Sequence, residues 1–260
     1  MAREGMAEPL GIDEHLVSLL APASYEAEQY RTLADAIELM HKDIGLHVLA
    51  VTSPTAGDGK TVTAINLAGT LARAPEARVL LVCADLRKPS VMEYLGMAGT
   101  DAVGLVDAIL DPAKILNQAV QHLQRFNLSV LLAGAGPADP YEVLKSHRLG
   151  ELIQDACRQY DYVVLDTAPL LLVPDARLIG KWVDGFLMVV AAHKTPRRLV
   201  EEALNLMDPP KLLGLVFNYD DRQVQDYYYY YDALGRHRQT HQGQSWGGRL
   251  LTTLGRTLSS

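Results

Sequence analysis

The sequence predicts an α/β fold, a parallel β-sheet flanked by helices, and three observations predict it. Six short runs are apolar without alternation, as strands buried on both faces must be. Segments of helical spacing separate them, which is how parallel neighbours are joined. A Gly-rich turn links the first strand to the first helix after it. Taken in order, residues 1–24 form an N-terminal arm, and Tyr25 to about His41 set Tyr30, Leu33, Ile37 and Met40 near one helical face. "LHVLAVT" (46–52) is the first strand and "TVTAINLAGTLAR" the helix behind it. "RVLLVCA" (78–84) and "LSVLLAG" (128–134) are the next strands. "EVLKSHRLGELIQDACRQ" reads as one helix leading into "YVVLDT" (162–167), followed by "GFLMVVAA" (185–192), the helix "PRRLVEEALNLM" and the last strand "LLGLVFN" (212–218).

The bulk numbers narrow the function. With 260 residues and an apolar fraction of 48%, the chain can bury a sizeable core. Lys and Arg total 24 against 31 for Asp and Glu, and a net charge of -7 argues against a nucleic-acid partner. Cys83 and Cys157 have neither CxxC nor Cys/His spacing, which suits a reducing compartment without disulfides or zinc. The acidic N-terminus does not read as a signal peptide, and no run reaches the roughly 20 apolar residues of a membrane span. A cytoplasmic location is expected.

The turn is "SPTAGDGKT", Ser53 to Thr61. Gly57 and Gly59 let backbone N–H groups face an anion, Lys60 brings a positive charge to terminal phosphates, and Thr61 offers a hydroxyl to Mg²⁺. Ala56, Gly57, Asp58, Gly59, Lys60, Thr61 and Val62 are therefore the candidate nucleotide-binding residues, with Lys60 read as serving phosphates rather than the core. Pro54 stands where the common GxxxxGK[ST] pattern has Gly. Two further strands end in acids, Asp85 in "VLLVCADLRKP" and Asp166 in "YDYVVLDTAP". Either alone can be a helix N-cap. In a parallel sheet, however, all strand carboxyl ends share one edge, so Lys60, Asp85 and Asp166 can meet there around a nucleotide and its metal.

"DYYYYYD", Asp226 to Asp232, places five tyrosines between two acids. As a strand it would turn every second phenol to water, so the stretch is an aromatic edge strand, a low-complexity tail, or a functional feature. Beyond it Trp246, Leu250, Leu254 and Leu258 recur every fourth residue, consistent with a weak amphipathic helix or a frayed end.

Together these residues resemble a known family. "SPTAGDGKT", "VLLVCADLRKP" and "YDYVVLDTAP" are similar to the Walker A, A′ and B segments of the bacterial tyrosine kinases of capsule and exopolysaccharide assembly, the BY-kinases, whose fold is a P-loop NTPase of the deviant Walker, partition-ATPase-like superfamily. The resemblance covers about residues 12 to 231. It takes in "PASYEAEQYRTL", similar to the family's oligomerisation helix, with Glu28 and Arg31, and "AGAGPADPYEVLKS", similar to its loop before the Walker B helix.

The resemblance implies an ATP- and Mg²⁺-dependent protein-tyrosine kinase that regulates polysaccharide polymerisation and export. Lys60, Asp85, Asp166 and Arg87 are its catalytic residues, with Thr61, Asp85 and Asp166 toward the metal and Arg87 holding the A′ loop. Tyr227, Tyr228, Tyr229, Tyr230 and Tyr231 are phosphoacceptors, used in trans. A membrane adaptor or polysaccharide co-polymerase acts as activator at the inner face of the membrane, and the chain self-associates. On this reading an arm (1–24) precedes a kinase domain (25–218), a tyrosine cluster (219–231) and a flexible tail (232–260). Two positions depart from the family: the A′ segment usually reads DxDxR and here begins with Cys83, and the helix motif ExxRxxR has Ala34 for its last Arg. A slower enzyme and weaker self-association are the expected consequences. A regulatory scaffold with lapsed activity is the alternative. A partition or septum-positioning ATPase would carry a signature lysine where this chain has Thr55.

Overall fold

A computed structural model of the chain describes residues 11–97 and 103–220. Within them the apolar runs build one sheet of seven strands, β1 (Val48–Thr52), β2 (Val79–Cys83), β3 (Val120–Leu123), β4 (Leu128–Leu131), β5 (Tyr162–Asp166), β6 (Gly185–Ala191) and β7 (Leu212–Asn218), in the order β3-β4-β2-β5-β1-β6-β7. All pairs are parallel except β3 with β4. The expected sheet is thus extended by an antiparallel edge. Val120, Gln121, His122 and Leu123 are only partly buried or exposed, so no continuous apolar run marks them.

The helices are α1 (Val17–Leu20), α2 (Tyr25–Ile44), α3 (Lys60–Leu71), α4 (Val91–Tyr94), α5 (Leu105–Leu110), α6 (Leu116–Ala119), α7 (Pro140–Lys145), α8 (His147–Gln159), α9 (Asp175–Ile179) and α10 (Arg197–Asn205). Those of four to six residues have too few turns to show a period. α2 starts where Ser24 Oγ accepts from the Ala27 N–H at 3.1 Å, and runs past His41 to stop at Gly45, whose φ of 71° ends a helix without a Cβ penalty. The segment read as one helix before β5 is two. Ser146 leaves helical conformation and its Oγ accepts from the Arg148 N–H, capping α8. The described part of the N-terminal arm packs into the body: Leu16 is fully buried, and the Ser18 N–H donates to Asn66 Oδ1 of α3 at 2.9 Å.

Leu49, Leu80, Leu81, Val163, Val164 and Leu165 of the central strands have no exposed surface. Each such side chain contributes about 1.5–3 kcal/mol by leaving water, which makes the sheet a rigid platform. The strand register fixes where the acid of β5 emerges. Asp166 is paired with Val51 on one side and Cys83 on the other, so β5 delivers its carboxylate between the tips of β1 and β2. Among the described residues no helix is long and apolar enough to cross a membrane.

Candidate active site

The chain leaves β1 at Thr52 and must turn into α3 at Lys60. Gly57 and Gly59 make that turn with φ of 85° and 94°. A Cβ at Gly57 would meet nothing within 4 Å, but one at Gly59 would fall 1.9 Å from Asn218 Nδ2. Asn218, the last residue of β7, packs there because its Nδ2 donates to the Asp58 carbonyl at 3.1 Å. The Asp58 carboxylate faces inward, accepting from the Thr55 N–H at 2.9 Å and from Thr195 Oγ1 at 2.7 Å. Asp58 therefore shapes the loop with its side chain and offers its backbone toward the anion site. Ala56 and Gly57 are exposed on the loop, and Val62 is half-buried in the first turn of α3.

Lys60 Nζ donates to Asp85 Oδ2 at 2.8 Å, lies 3.3 Å from Thr61 Oγ1 and 3.7 Å from Asp166 Oδ1. Thr61 Oγ1 donates to Asp166 Oδ2 at 2.8 Å. The structure thus brings Lys60, Thr61, Asp85 and Asp166 together at one edge, as the parallel topology requires. Burial pulls the Lys60 ammonium toward neutrality, but the charges of Asp166 and Asp85 outweigh it and hold its pKa above the ordinary value. Asp166 is fully buried, which pushes its carboxyl up to about 6 against the pull of Lys60 and Thr61.

One cation between two acids leaves excess negative charge, and Asp166 Oδ1 is buried without a hydrogen-bond partner. An orphaned carboxylate oxygen beside a hydroxyl fits a hard cation. Among the described residues no group of three or more His, Cys, Asp or Glu could hold a metal by itself. A Mg²⁺ at Thr61 and Asp166 would take its other ligands from water and phosphate.

The turn after β2 is organised by Asp85, whose Oδ1 accepts from the Lys88 N–H at 3.0 Å and the Arg87 N–H at 3.3 Å. Arg87 does not point its guanidinium at the Lys60 cluster. Its Nε and Nη2 donate to Asp175 Oδ2 and Oδ1 at 2.7 and 3.0 Å, a two-pronged pair with the first residue of α9. These contacts agree with the expected part of Arg87 in holding the A′ loop. Cys83, two residues before Asp85, is buried, and burial with the nearby Asp166 charge pushes its thiol up to about 12.

Sequence reasoning missed Asp175, Thr195 and Asn218. Asn218 had a signal, a polar residue closing an apolar strand at the edge that holds the site; Asp175 in "VPDARL" reads only as a helix start. On α2, Glu28 and Arg31 pair with each other at 2.5 Å on the surface, and Arg31 also donates to the Pro22 carbonyl. Ala34 is buried in the core. Tyr227 to Tyr231 lie outside the described residues.

The AAA domain family matches residues 46–179. The chain is 35% identical over 222 residues to "Tyrosine-protein kinase YwqD" of Bacillus subtilis, covering 85% of this chain and 92% of the relative. It is 33% identical to "Succinoglycan biosynthesis transport protein ExoP" of Rhizobium meliloti, over 84% of this chain but only 28% of that protein. It therefore spans nearly all of the first relative and under a third of the second. Among solved structures it is similar to "The kinase domain of Escherichia coli tyrosine kinase ETK", with a TM-score of 0.75 at 23% identity over 86% of each chain, a likeness of fold.

Proposed function

Because this chain belongs to the AAA domain family and, within it, to the bacterial tyrosine-protein kinases, we propose that it is an ATP-dependent autokinase that phosphorylates its own C-terminal tyrosines, Tyr227 to Tyr231, and through them regulates the polymerisation and export of a capsular or extracellular polysaccharide. The observation that carries this reading is the buried meeting of Lys60, Thr61, Asp85 and Asp166 beside a glycine turn.

Phosphoryl transfer asks mainly for positioning and charge neutralisation. The loop backbone from Ala56 to Val62 and the Lys60 ammonium bind the β and γ phosphates of ATP. Thr61 and Asp166 would hold Mg²⁺, directly or through water, and the ion when bound neutralises phosphate charge. Lys60 donates to Asp85 Oδ2. Phosphates draw the ammonium away from it, and that carboxylate oxygen becomes free to orient an incoming phenol and accept its proton. A phenol with a pKa of about 10 needs little more than this and a stabilised leaving group. The acceptor comes from a neighbouring molecule, with Glu28 and Arg31 on the surface where copies meet. Each phosphate adds about -1.5 to -2 charges beside Asp220, Asp221, Asp226 and Asp232, so a loaded tail is repelled from an acidic cleft and the assembly loosens. A membrane adaptor of the polysaccharide machinery activates the kinase and recruits it to the inner membrane face; the name of the Rhizobium relative, a biosynthesis transport protein, supports that setting.

The test is mass spectrometry of tail peptides after incubation with MgATP, comparing wild type with Lys60→Ala. Phosphotyrosine in wild type alone is expected; equal phosphotyrosine in both would overturn the assignment. A second reading, a nucleotide-binding regulator with lapsed catalysis, is favoured by Cys83, whose neutral thiol replaces a carboxylate. Binding of MgATP with no phosphotyrosine in wild type would select it.

A further inference from the structure

Asp175 has no exposed surface, and both of its carboxylate oxygens are occupied by Arg87. A buried carboxylate is costly unless paired, and apolar packing of the same volume is commonly as stable as the pair that replaces it. Stability alone is a weak reason for this ion pair to sit here. Its geometry supplies a better one. Arg87 is bound at both ends: its main-chain N–H holds Asp85 Oδ1, and its side chain holds Asp175, 88 positions further along. Asp85 in turn holds Lys60 through Oδ2 at 2.8 Å. A continuous line of hydrogen bonds therefore runs from the start of α9 through Arg87 and Asp85 to the phosphate-loop lysine.

The two segments joined this way are those that come after β2 and β5, the strands whose tips bring in Asp85 and Asp166. A planar guanidinium on a carboxylate fixes direction as well as distance, which a lysine cannot do. Asp139, the N-cap of α7, adds a second acidic field on the Arg87 guanidinium and helps keep it at this edge.

We infer that Asp175 is a positioning residue for phosphoryl transfer, clamping the Asp85 turn to α9 through its two-pronged pair with Arg87. The inference rests on the kinase reading for its consequence in catalysis, but the clamp itself can be tested without turnover. Reacting groups displaced by about 1 Å lose on the order of 10²-fold in rate, so a loosened turn acts on kcat before it acts on nucleotide affinity.

Two readouts test it on the full chain. In the first, Asp175→Asn, which keeps volume but removes charge, lowers kcat for tail phosphorylation by about tenfold or more while KM for MgATP stays within about threefold. Arg87→Lys, which keeps charge but removes the fork, does the same, and the double variant is no slower than the slower single one, since both act through one contact. In the second, Cys83 reports the opening of the turn next to it. In a Cys157→Ser background, labelling of Cys83 by a thiol reagent speeds up about tenfold in Asp175→Asn or Arg87→Lys with circular dichroism unchanged. Unchanged Cys83 labelling in both folded variants overturns the clamp. Faster labelling with wild-type kcat, or additive losses in the double variant, overturns the positioning role. If wild type forms no phosphotyrosine, the kinase reading fails and the labelling arm still decides the clamp. Should Asp175→Asn not fold, Arg87→Lys alone decides both readouts.

Discussion

Lys60 Nζ and Asp85 Oδ2 are 2.8 Å apart although one comes from the first turn of α3 and the other from the turn after β2. Asp166, buried 3.7 Å from the same ammonium, completes a cluster in which one cation answers two carboxylates. The lysine therefore compensates charge that the fold has buried, in addition to the phosphate binding proposed for it.

Removing Lys60 should accordingly cost both activity and stability, against the simpler expectation that it serves phosphates alone. Lys60→Ala abolishes tail phosphorylation and destabilises the ligand-free protein by on the order of 3 kcal/mol at pH 8. The penalty shrinks toward pH 5, where Asp166, with its pKa of about 6, takes up a proton. Urea denaturation at the two pH values, beside the phosphotyrosine assay, measures this; an equal penalty at both would contradict it.

Asp166 gives a stability profile whose sign can be worked out. Its folded pKa, about 6, lies above its ordinary value, so the folded state holds the proton more tightly than the unfolded chain. Stability from this group is fully present below about pH 4 and is lost as pH rises through about 6. Asp166→Asn escapes that loss. The variant should be inactive yet more stable than wild type at pH 7.5, by on the order of a few kcal/mol, with the advantage fading by about pH 4.5. Thermal unfolding at both values is the measurement, and a less stable variant at pH 7.5 would count against the account of the buried carboxylate.

Cys83→Asp restores the acid that the family's A′ segment carries. A positioned base is worth about 10² to 10⁴ in rate, and the charge and positioning that Lys60, Asp85 and Asp166 provide remain in place. Initial phosphotyrosine formation at saturating MgATP should rise by about tenfold or more. Cys83 is buried beside Asp166, so a third acid should also lower the stability of the metal-free protein at neutral pH. A folded variant with an unchanged rate would show that this acid is not limiting.

The two loop glycines should respond differently to a methyl group. Gly57→Ala meets only its backbone conformation and costs about 1–2 kcal/mol. Gly59→Ala adds a collision with Asn218, so it should cost more and weaken nucleotide binding by displacing the Asn218 bond to the Asp58 carbonyl. Thermal shift with and without MgADP separates the two, and equal effects would discount the Asn218 contact.

Ala34 lies in the core, so an arginine there would bury a charge. Ala34→Arg should destabilise the fold by several kcal/mol, of the size expected for an uncompensated buried charge, and should not restore a surface pair for assembly. With the five clustered tyrosines changed to Phe, the native chain should form weak, concentration-dependent oligomers by light scattering. A stable ring at low micromolar concentration would contradict this.

Much of this protein is legible in local chemistry. Unbroken apolar runs mark the strands, although the run of β7 forms a sheet edge with Leu215 and Phe217 exposed and is not buried on both faces as expected. Helical segments between them make the strands parallel, and parallel strands put their carboxyl ends on one edge. From those steps Lys60, Asp85 and Asp166 converge before any coordinate is known. The antiparallel β3 and the short helices escaped because an edge strand needs no apolar run and one turn shows no period. What only the tertiary structure decided is who holds whom. The Asp175 carboxylate receives Arg87 from 88 positions away, Asn218 reaches the Asp58 carbonyl across 160, and Thr195 reaches the Asp58 side chain across 137. Such partners are chosen by how loops pack over the sheet edge. A hydrogen bond is satisfied at about 3 Å whatever the distance along the chain, so sequence spacing holds no trace of it.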